Sequence, residues 1–262
     1  MALLQCNFKS EVLGMDQPLH IILPQVGMAD EDTQKRVRER GFPVLYLLHG
    51  LSDDHTVWMR QTSIERYARE YGLVVVMPNV NRSFYVDMKV GLNYYTYVTK
   101  EVPHIVRTYF PVSKRREDNF IAGLSMGGYG AFMIALRNPD MFSAAASLSG
   151  VVDLTPVFYY DDPQVAPMVK MLFGSKLEYL KSDYNLIRLL KKQKEKGVEL
   201  PRLFQCCGTE DFLYGINQRF KAAAIKHGVD LTYQEGPGTH EWGYWDANIQ
   251  KVLKWLFNKP QF

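Results

Sequence analysis

Apolar residues recur along this chain in two rhythms. Pro43-Val44-Leu45-Tyr46-Leu47-Leu48, Leu73-Val74-Val75-Val76-Met77-Pro78, Asn119-Phe120-Ile121-Ala122, Ala144-Ala145-Ala146-Ser147-Leu148 and Leu203-Phe204-Gln205-Cys206-Cys207 are near-continuous apolar runs. Runs of that length suit strands buried on both faces of a sheet. Between them the spacing changes to that of helices. Ile64, Tyr67, Ala68 and Tyr71 mark a helix over 61–71 that ends at Gly72. Helices are also predicted over 94–110, kinked at Pro103, and then after Ser125, near 184–196 and over 214–227. A last one over 243–257 has Trp245, Ile249, Val252, Leu253, Leu256 and Phe257 along one stripe. Residues 2–23 alternate around a turn at Gly14, predicting two antiparallel strands at a sheet edge, and a final strand is expected over 229–235. The charged stretch 27–41 shows no apolar stripe and is expected to be a loop or frayed turn.

Strands alternating with helices predict an α/β fold, a mostly parallel twisted sheet with helices on both faces. One segment breaks the alternation. Residues 151–185 hold Pro156, Pro163 and Pro167 among Phe158, Tyr159, Met168, Met171, Leu172 and Phe173. That is too long for an ordinary connection and too aromatic for a linker, so a cap-like excursion over the sheet is expected. No repeat or linker divides the chain, and a single domain over 1–262 is predicted.

Composition narrows the class. With 262 residues, 47% hydrophobic and 23% charged, the chain can bury a sizeable core. A net charge of +3 is mild, and its basic clusters, Lys114-Arg115-Arg116 and 191–196, read as solvated faces, so no nucleic-acid partner is expected. No apolar run approaches the ~20 residues of a membrane span. Three cysteines, two of them adjacent in a strand, make no disulfide framework. The start MALLQCNFKS lacks the form of a signal peptide, and a cytoplasmic protein is expected.

The chemistry centres on Gly123-Leu124-Ser125-Met126-Gly127, which follows a buried strand and opens a helix. A glycine-flanked serine there is the sequence form of a nucleophile elbow. A serine hydroxyl needs a base, and the base needs an orienting acid; with this elbow, acid then histidine follow the serine in the chain. Only His227 and His240 lie beyond Ser125. His227 ends a helix before Gly228, where a cation suits the helix dipole. His240 stands in a loop between the last strand and last helix, where open α/β sheets build sites, and is the expected base. Glu210 and Asp211 both follow the Cys207 strand; Asp211, with the shorter side chain, is preferred, and Glu210 is the alternative. Two N–H donors are also needed for a developing oxyanion. Met126, after the nucleophile, supplies one, and Leu51, in the loop His49-Gly50-Leu51-Ser52, is the choice for the other. His49, Asp53, Asp54 and His55 cluster without metal-ligand spacing, so no metal is expected.

HGLSDDHTVW, GLSMGGYGA, GTEDFL and GTHEWGYW, with SFYVDM and YYTYVTKEVPHIVRTYFP, resemble the esterase D-type branch of the α/β-hydrolase family, bacterial tributyrin esterases above all. The resemblance spans almost the whole chain. It implies an α/β-hydrolase fold, a Ser125–His240–Asp211 triad, Leu51 and Met126 as oxyanion donors, cofactor-free carboxylesterase activity and a homo-oligomer. The related S-formylglutathione hydrolases usually have His where Leu124 stands, and often Cys where Ser52-Asp53-Asp54 stand. These departures favour an oxygen ester over a glutathione thioester; a thioesterase or acyltransferase is the alternative. The substrate is expected to be a small ester with a short acyl group, acetyl to butyryl, as in tributyrin or acetylated sugars. Phe158, Met168 and Phe173 of the excursion, with Trp58 and Trp242, are expected near the acyl pocket.

Overall fold

A computed structural model describes residues 1–159, 163 and 165–257. Strands are β1 (Ala2–Ser10), β2 (Met15–Leu23), β3 (Val44–Leu48), β4 (Val74–Pro78), β5 (Asn119–Leu124), β6 (Ala144–Leu148), β7 (Arg202–Gly208) and β8 (Leu231–Gly236). Helices are α1 (Glu31–Arg40), α2 (Val57–Gln61), α3 (Ile64–Arg69), α4 (Tyr94–Thr96), α5 (Val102–Tyr109), α6 (Met126–Arg137), α7 (Val165–Phe173), α8 (Lys176–Lys181), α9 (Leu186–Glu195), α10 (Tyr214–Lys226) and α11 (Trp242–Phe257). The strands form one eight-stranded sheet in the order β1-β2-β4-β3-β5-β6-β7-β8. Only the β1–β2 and β2–β4 pairs are antiparallel. From β4 to β8 the strands run parallel, so their carboxyl ends open on one edge.

The uninterrupted apolar runs have the expected cause. In β3, Val44, Tyr46 and Leu48 face one core while Leu45 and Leu47 face another. The first core packs residues of α5, α6, α9 and α10 against the sheet, and the second those of α2, α3 and α11. A strand with helices on both sides has no face left for polar residues.

Two elements depart from expectation. The charged stretch contains α1, a helix without a single buried residue. Asp30 accepts the Thr33 N–H at 3.0 Å, Glu31 and Asp32 occupy the first turn, and Arg38 and Arg40 the last. Capping and dipole complementarity thus support a helix whose one apolar side chain, Val37, is only partly buried against the first core. Gly41 ends it at φ +74°, pressed against the backbone of Val112 and Ser113, where a Cβ would lie 2.4 Å from the Val112 carbonyl carbon. The helix predicted over 94–110 passes Pro103 through a π-helical turn at Tyr97–Glu101, set between α4 and α5. Proline lacks an N–H and its ring crowds the carbonyl four residues back; a widened turn accommodates both.

The excursion after β6 comprises a 3₁₀ turn (Thr155–Tyr159), α7 and α8. Phe158, Phe173 and Tyr179 pack together with ring centroids 5.1–6.5 Å apart. Phe173 also meets Phe84 and Tyr129 at 6.1 and 6.4 Å, anchoring the excursion to α6.

Candidate active site

Ser125 sits between β5 and α6 at φ 50°, ψ −116°, a backbone conformation that L residues avoid. Its neighbours explain why the chain can turn there. A Cβ on Gly123 would lie 2.5 Å from the Gly127 carbonyl, and one on Gly127 2.5 Å from the Leu48 carbonyl oxygen. The obstacles are backbone, which has little freedom to move aside. The turn lifts the Ser125 hydroxyl to the carboxyl edge of the sheet at the start of α6.

Loops after β7 and β8 converge on it. The Ser125 hydroxyl donates to His240 Nε2 at 3.0 Å, and His240 Nδ1–H donates to Asp211 Oδ2 at 2.9 Å. The Asp211 side chain is fully buried and accepts the Leu213 N–H at 2.8 Å on its other oxygen. Burial alone would raise its pKa. The hydrogen bonds from His240 and Leu213 outweigh it and hold the carboxyl below its ordinary value. Glu210 is occupied elsewhere: its carboxylate accepts the Gly238 N–H at 2.6 Å and the Thr209 hydroxyl at 2.8 Å. It ties the histidine loop to the acid loop, and Asp211 orients the ring. Phe212 and Trp245 flank the imidazole at centroid distances of 4.6 and 4.8 Å.

The loop after β3 provides the opposite wall. His49 is buried, and burial pushes its pKa down to about 4, so the ring is neutral. Its Nδ1–H donates to the Gly50 carbonyl at 2.7 Å, and its Nε2 accepts the Val80 N–H at 3.1 Å. The peptide that carries the Gly50 carbonyl also carries the Leu51 N–H, on the opposite side of a trans bond. His49 therefore turns the Leu51 N–H away from itself. Leu51, Met126 and Ser125 line one cavity of about 750 Å³, and neither Leu51 N–H nor Met126 N–H donates to a described residue. The other three residues of the His49 cluster have local tasks. Asp53 accepts the Gly50 N–H at 3.2 Å, Asp54 accepts from Thr56, and His55 meets the His20 ring.

The remaining wall is largely apolar, with Phe84, Val151, Val157, Met168 and Ile216. Of the side chains expected near a pocket, Met168 lies here and the other four do not. Trp58 is buried on the far side of the sheet, donating its Nε1–H to the Leu48 carbonyl at 3.0 Å, and Trp242 packs edge-on against it. Phe158 and Phe173 belong to the aromatic cluster of the excursion. Position in sequence placed these rings near the site, but side-chain direction decides which core they enter. The sequence reading passed over Phe84, Asp153, Phe212, Ile216 and Arg219, all of which line the cavity. Ile216 and Arg219 share one face of α10, a signal present in the sequence but obscured because that face is only half apolar, whereas Phe212 lies in the turn before the helix and carries no periodic signal.

A parallel sheet with a strained serine at its central strand-to-helix turn, and acid and histidine on later loops, is the arrangement of α/β-hydrolase-fold serine hydrolases. The model of the Esterase family, described as "Putative esterase", matches residues 10–256, and the chain belongs to that family. It is a carboxylic ester hydrolase. An acetyl esterase of Caldicellulosiruptor saccharolyticus is 30% identical over 262 residues, 98% of each chain. Among solved structures, the fluorophosphonate-binding serine hydrolase FphF of Staphylococcus aureus, substrate bound, has a TM-score of 0.89 and 37% identity over 98% of this chain and 99% of that one. The S-formylglutathione hydrolase FrmB of the same organism has a TM-score of 0.86 and 37% identity over the same shares.

Proposed function

We propose that the chain is a serine carboxylesterase for small acyl esters, with Ser125 as nucleophile, His240 as base and Asp211 as its orienting acid. The reading rests on one observation: Ser125, on the cavity wall, heads the hydrogen-bonded chain Ser125–His240–Asp211, at 3.0 and 2.9 Å. Ser125 Oγ attacks the ester carbonyl carbon while His240 Nε2 takes its proton. Asp211 fixes the tautomer that leaves Nε2 free and then stabilises the imidazolium. The carbonyl oxygen, now anionic, accepts from the Leu51 and Met126 N–H groups, the second of them at the start of α6, where the helix dipole adds to its pull. As the tetrahedral adduct collapses, the C–O bond breaks and His240 returns the proton to the alcohol. Water then attacks the acyl-serine by the same route and frees the acid. Serine, histidine, aspartate and water account for every proton and bond, so the cycle takes no cofactor.

Turnover of p-nitrophenyl acetate and butyrate tests this. Ser125→Ala should lower kcat by roughly 10⁴-fold or more; equal rates for the two proteins would overturn the reading. A cavity of about 750 Å³ exceeds what a butyryl group fills, leaving room for the alcohol portion of a short-acyl ester. The likeness to a protein named S-formylglutathione hydrolase supports a second reading, a thioesterase. Leu124 and Ser52-Asp53-Asp54 weigh against it, and comparing kcat/KM for S-formylglutathione and p-nitrophenyl butyrate decides between them. No described helix is long and apolar enough to cross a membrane. Free thiols at Cys6, Cys206 and Cys207 fit the reducing conditions of a cytoplasm, and a homo-oligomer, testable by light scattering, completes the proposal.

A further inference from the structure

The cavity beside Ser125 is mainly apolar, yet it holds one ion pair. Asp153 comes from the segment after β6 and Arg219 from α10, with Nη2 3.3 Å from Oδ2. The two partners are unequal. The Asp153 side chain is 9% exposed, and its other oxygen accepts the Thr155 N–H at 2.9 Å. Each of its oxygens thus has a partner, which fixes its position. The Arg219 side chain is 52% exposed, and among the described residues its guanidinium meets only this carboxylate.

Guanidinium offers five N–H donors in a planar fork, and one carboxylate oxygen at 3.3 Å leaves most of them open. Their direction follows from the helix. Ile216 and Arg219 are three residues apart on one face of α10, and both line the cavity with Ser125. An arginine held from behind by a buried carboxylate, its free donors at the rim of an apolar cavity, suits a second carboxylate in a paired, charge-assisted contact.

We propose that Arg219 determines specificity by receiving a carboxylate that the ester carries away from its scissile carbonyl. Asp153 holds the guanidinium in the wall and, by offsetting its charge, limits how strongly the substrate is held. The natural substrates are therefore monoesters that still bear a free acid group, on either the acyl or the alcohol side. The proposal rests on the esterase reading of Ser125.

Two matched pairs of substrates test it: mono-p-nitrophenyl adipate against its terminal amide, and 4-butanoyloxybenzoate against 4-butanoyloxybenzamide. The readout is the ratio of kcat/KM for acid over amide within each pair. Arg219→Gln should lower that ratio about tenfold in at least one pair, the scale of one charge-assisted contact. Asp153→Asn keeps an acceptor for the Thr155 N–H but removes the offsetting charge, and should raise the same ratio severalfold. An ion pair with only a structural role would change acid and amide alike in both variants; ratios that stay level in both pairs overturn the proposal. Ser125→Ala separates the two failures. If it abolishes turnover while the ratios stay level, the Arg219 assignment alone falls; if turnover survives, the esterase reading falls and takes this assignment with it.

Discussion

Glu210 and Asp211 are neighbours with the same charge and different tasks. Asp211 points inward to the imidazole, whereas Glu210 points along the surface to the Gly238 N–H. Asp211→Asn would present an amide where the Nδ1–H needs a carboxylate, favouring the wrong tautomer. We expect kcat to fall by about 10³ to 10⁴-fold with the fold intact. Glu210→Gln keeps an acceptor for Gly238, and its kcat should stay within about tenfold of wild type, with any loss appearing mainly as a lower Tm. Steady-state kinetics and thermal melts on the two variants check this, and a reversed order would exchange the roles. At this scale the sequence, by its chain order of serine then acid then histidine, picked out three side chains that the structure joins by hydrogen bonds. It could not tell a carboxylate that orients a ring from one that ties two loops. It also misplaced Trp58, because the bond from its Nε1–H to the Leu48 carbonyl turns the ring to the other side of the sheet.

Elements were legible where burial imposes a pattern and obscure where something else does. The five buried runs became β3 to β7 because a sheet covered on both faces admits little but apolar residues. The helix α1 carries no such pattern; its signals are an Asp cap, ordered charges and a terminal glycine. The π-helical turn before Pro103 leaves no periodic trace either. The elbow between β5 and α6 is the opposite case, where the sequence motif is itself the steric requirement. Gly127→Ala should show this. Its Cβ would meet the Leu48 carbonyl oxygen at 2.5 Å and the His49 carbonyl oxygen at 2.7 Å, so β3 and α6 would have to part. We expect a loss of about 3 kcal/mol in urea unfolding, at the upper end of overpacking costs, with esterase activity lost in the remaining folded protein. Wild-type stability in this variant would mean that the close approach of α6 to β3 is not obligatory.

Across the whole molecule, the site and the stability of the fold meet at His49. It is buried just after β3, and bonds the loop of Leu51 on one side and the Val80 N–H after β4 on the other. Protonation would convert its Nε2 from an acceptor into a donor facing the Val80 N–H, in a place that water does not reach. Burial accordingly lowers its pKa from the ordinary 6.5 to about 4. The sign follows from proton uptake. Between those two values the unfolded chain binds a proton at this residue and the folded chain does not, so stability rises with pH across the window and falls as the solution is acidified. The full effect is about 3 kcal/mol, with a slope near 1.4 kcal/mol per pH unit while the difference lasts. Burial lowers His20 and His55 as well, and their contributions have the same sign. Urea unfolding at pH 7, 6 and 5 should therefore show a steady loss in the wild type and a shallower one in His49→Gln, by about one proton's worth of slope. If the two slopes coincide, His49 is not the group that couples the fold to pH. The same substitution releases the Gly50–Leu51 peptide, so, on the proposed role of the Leu51 N–H as an oxyanion donor, kcat for p-nitrophenyl butyrate should drop by about 10-fold or more, with KM changing less.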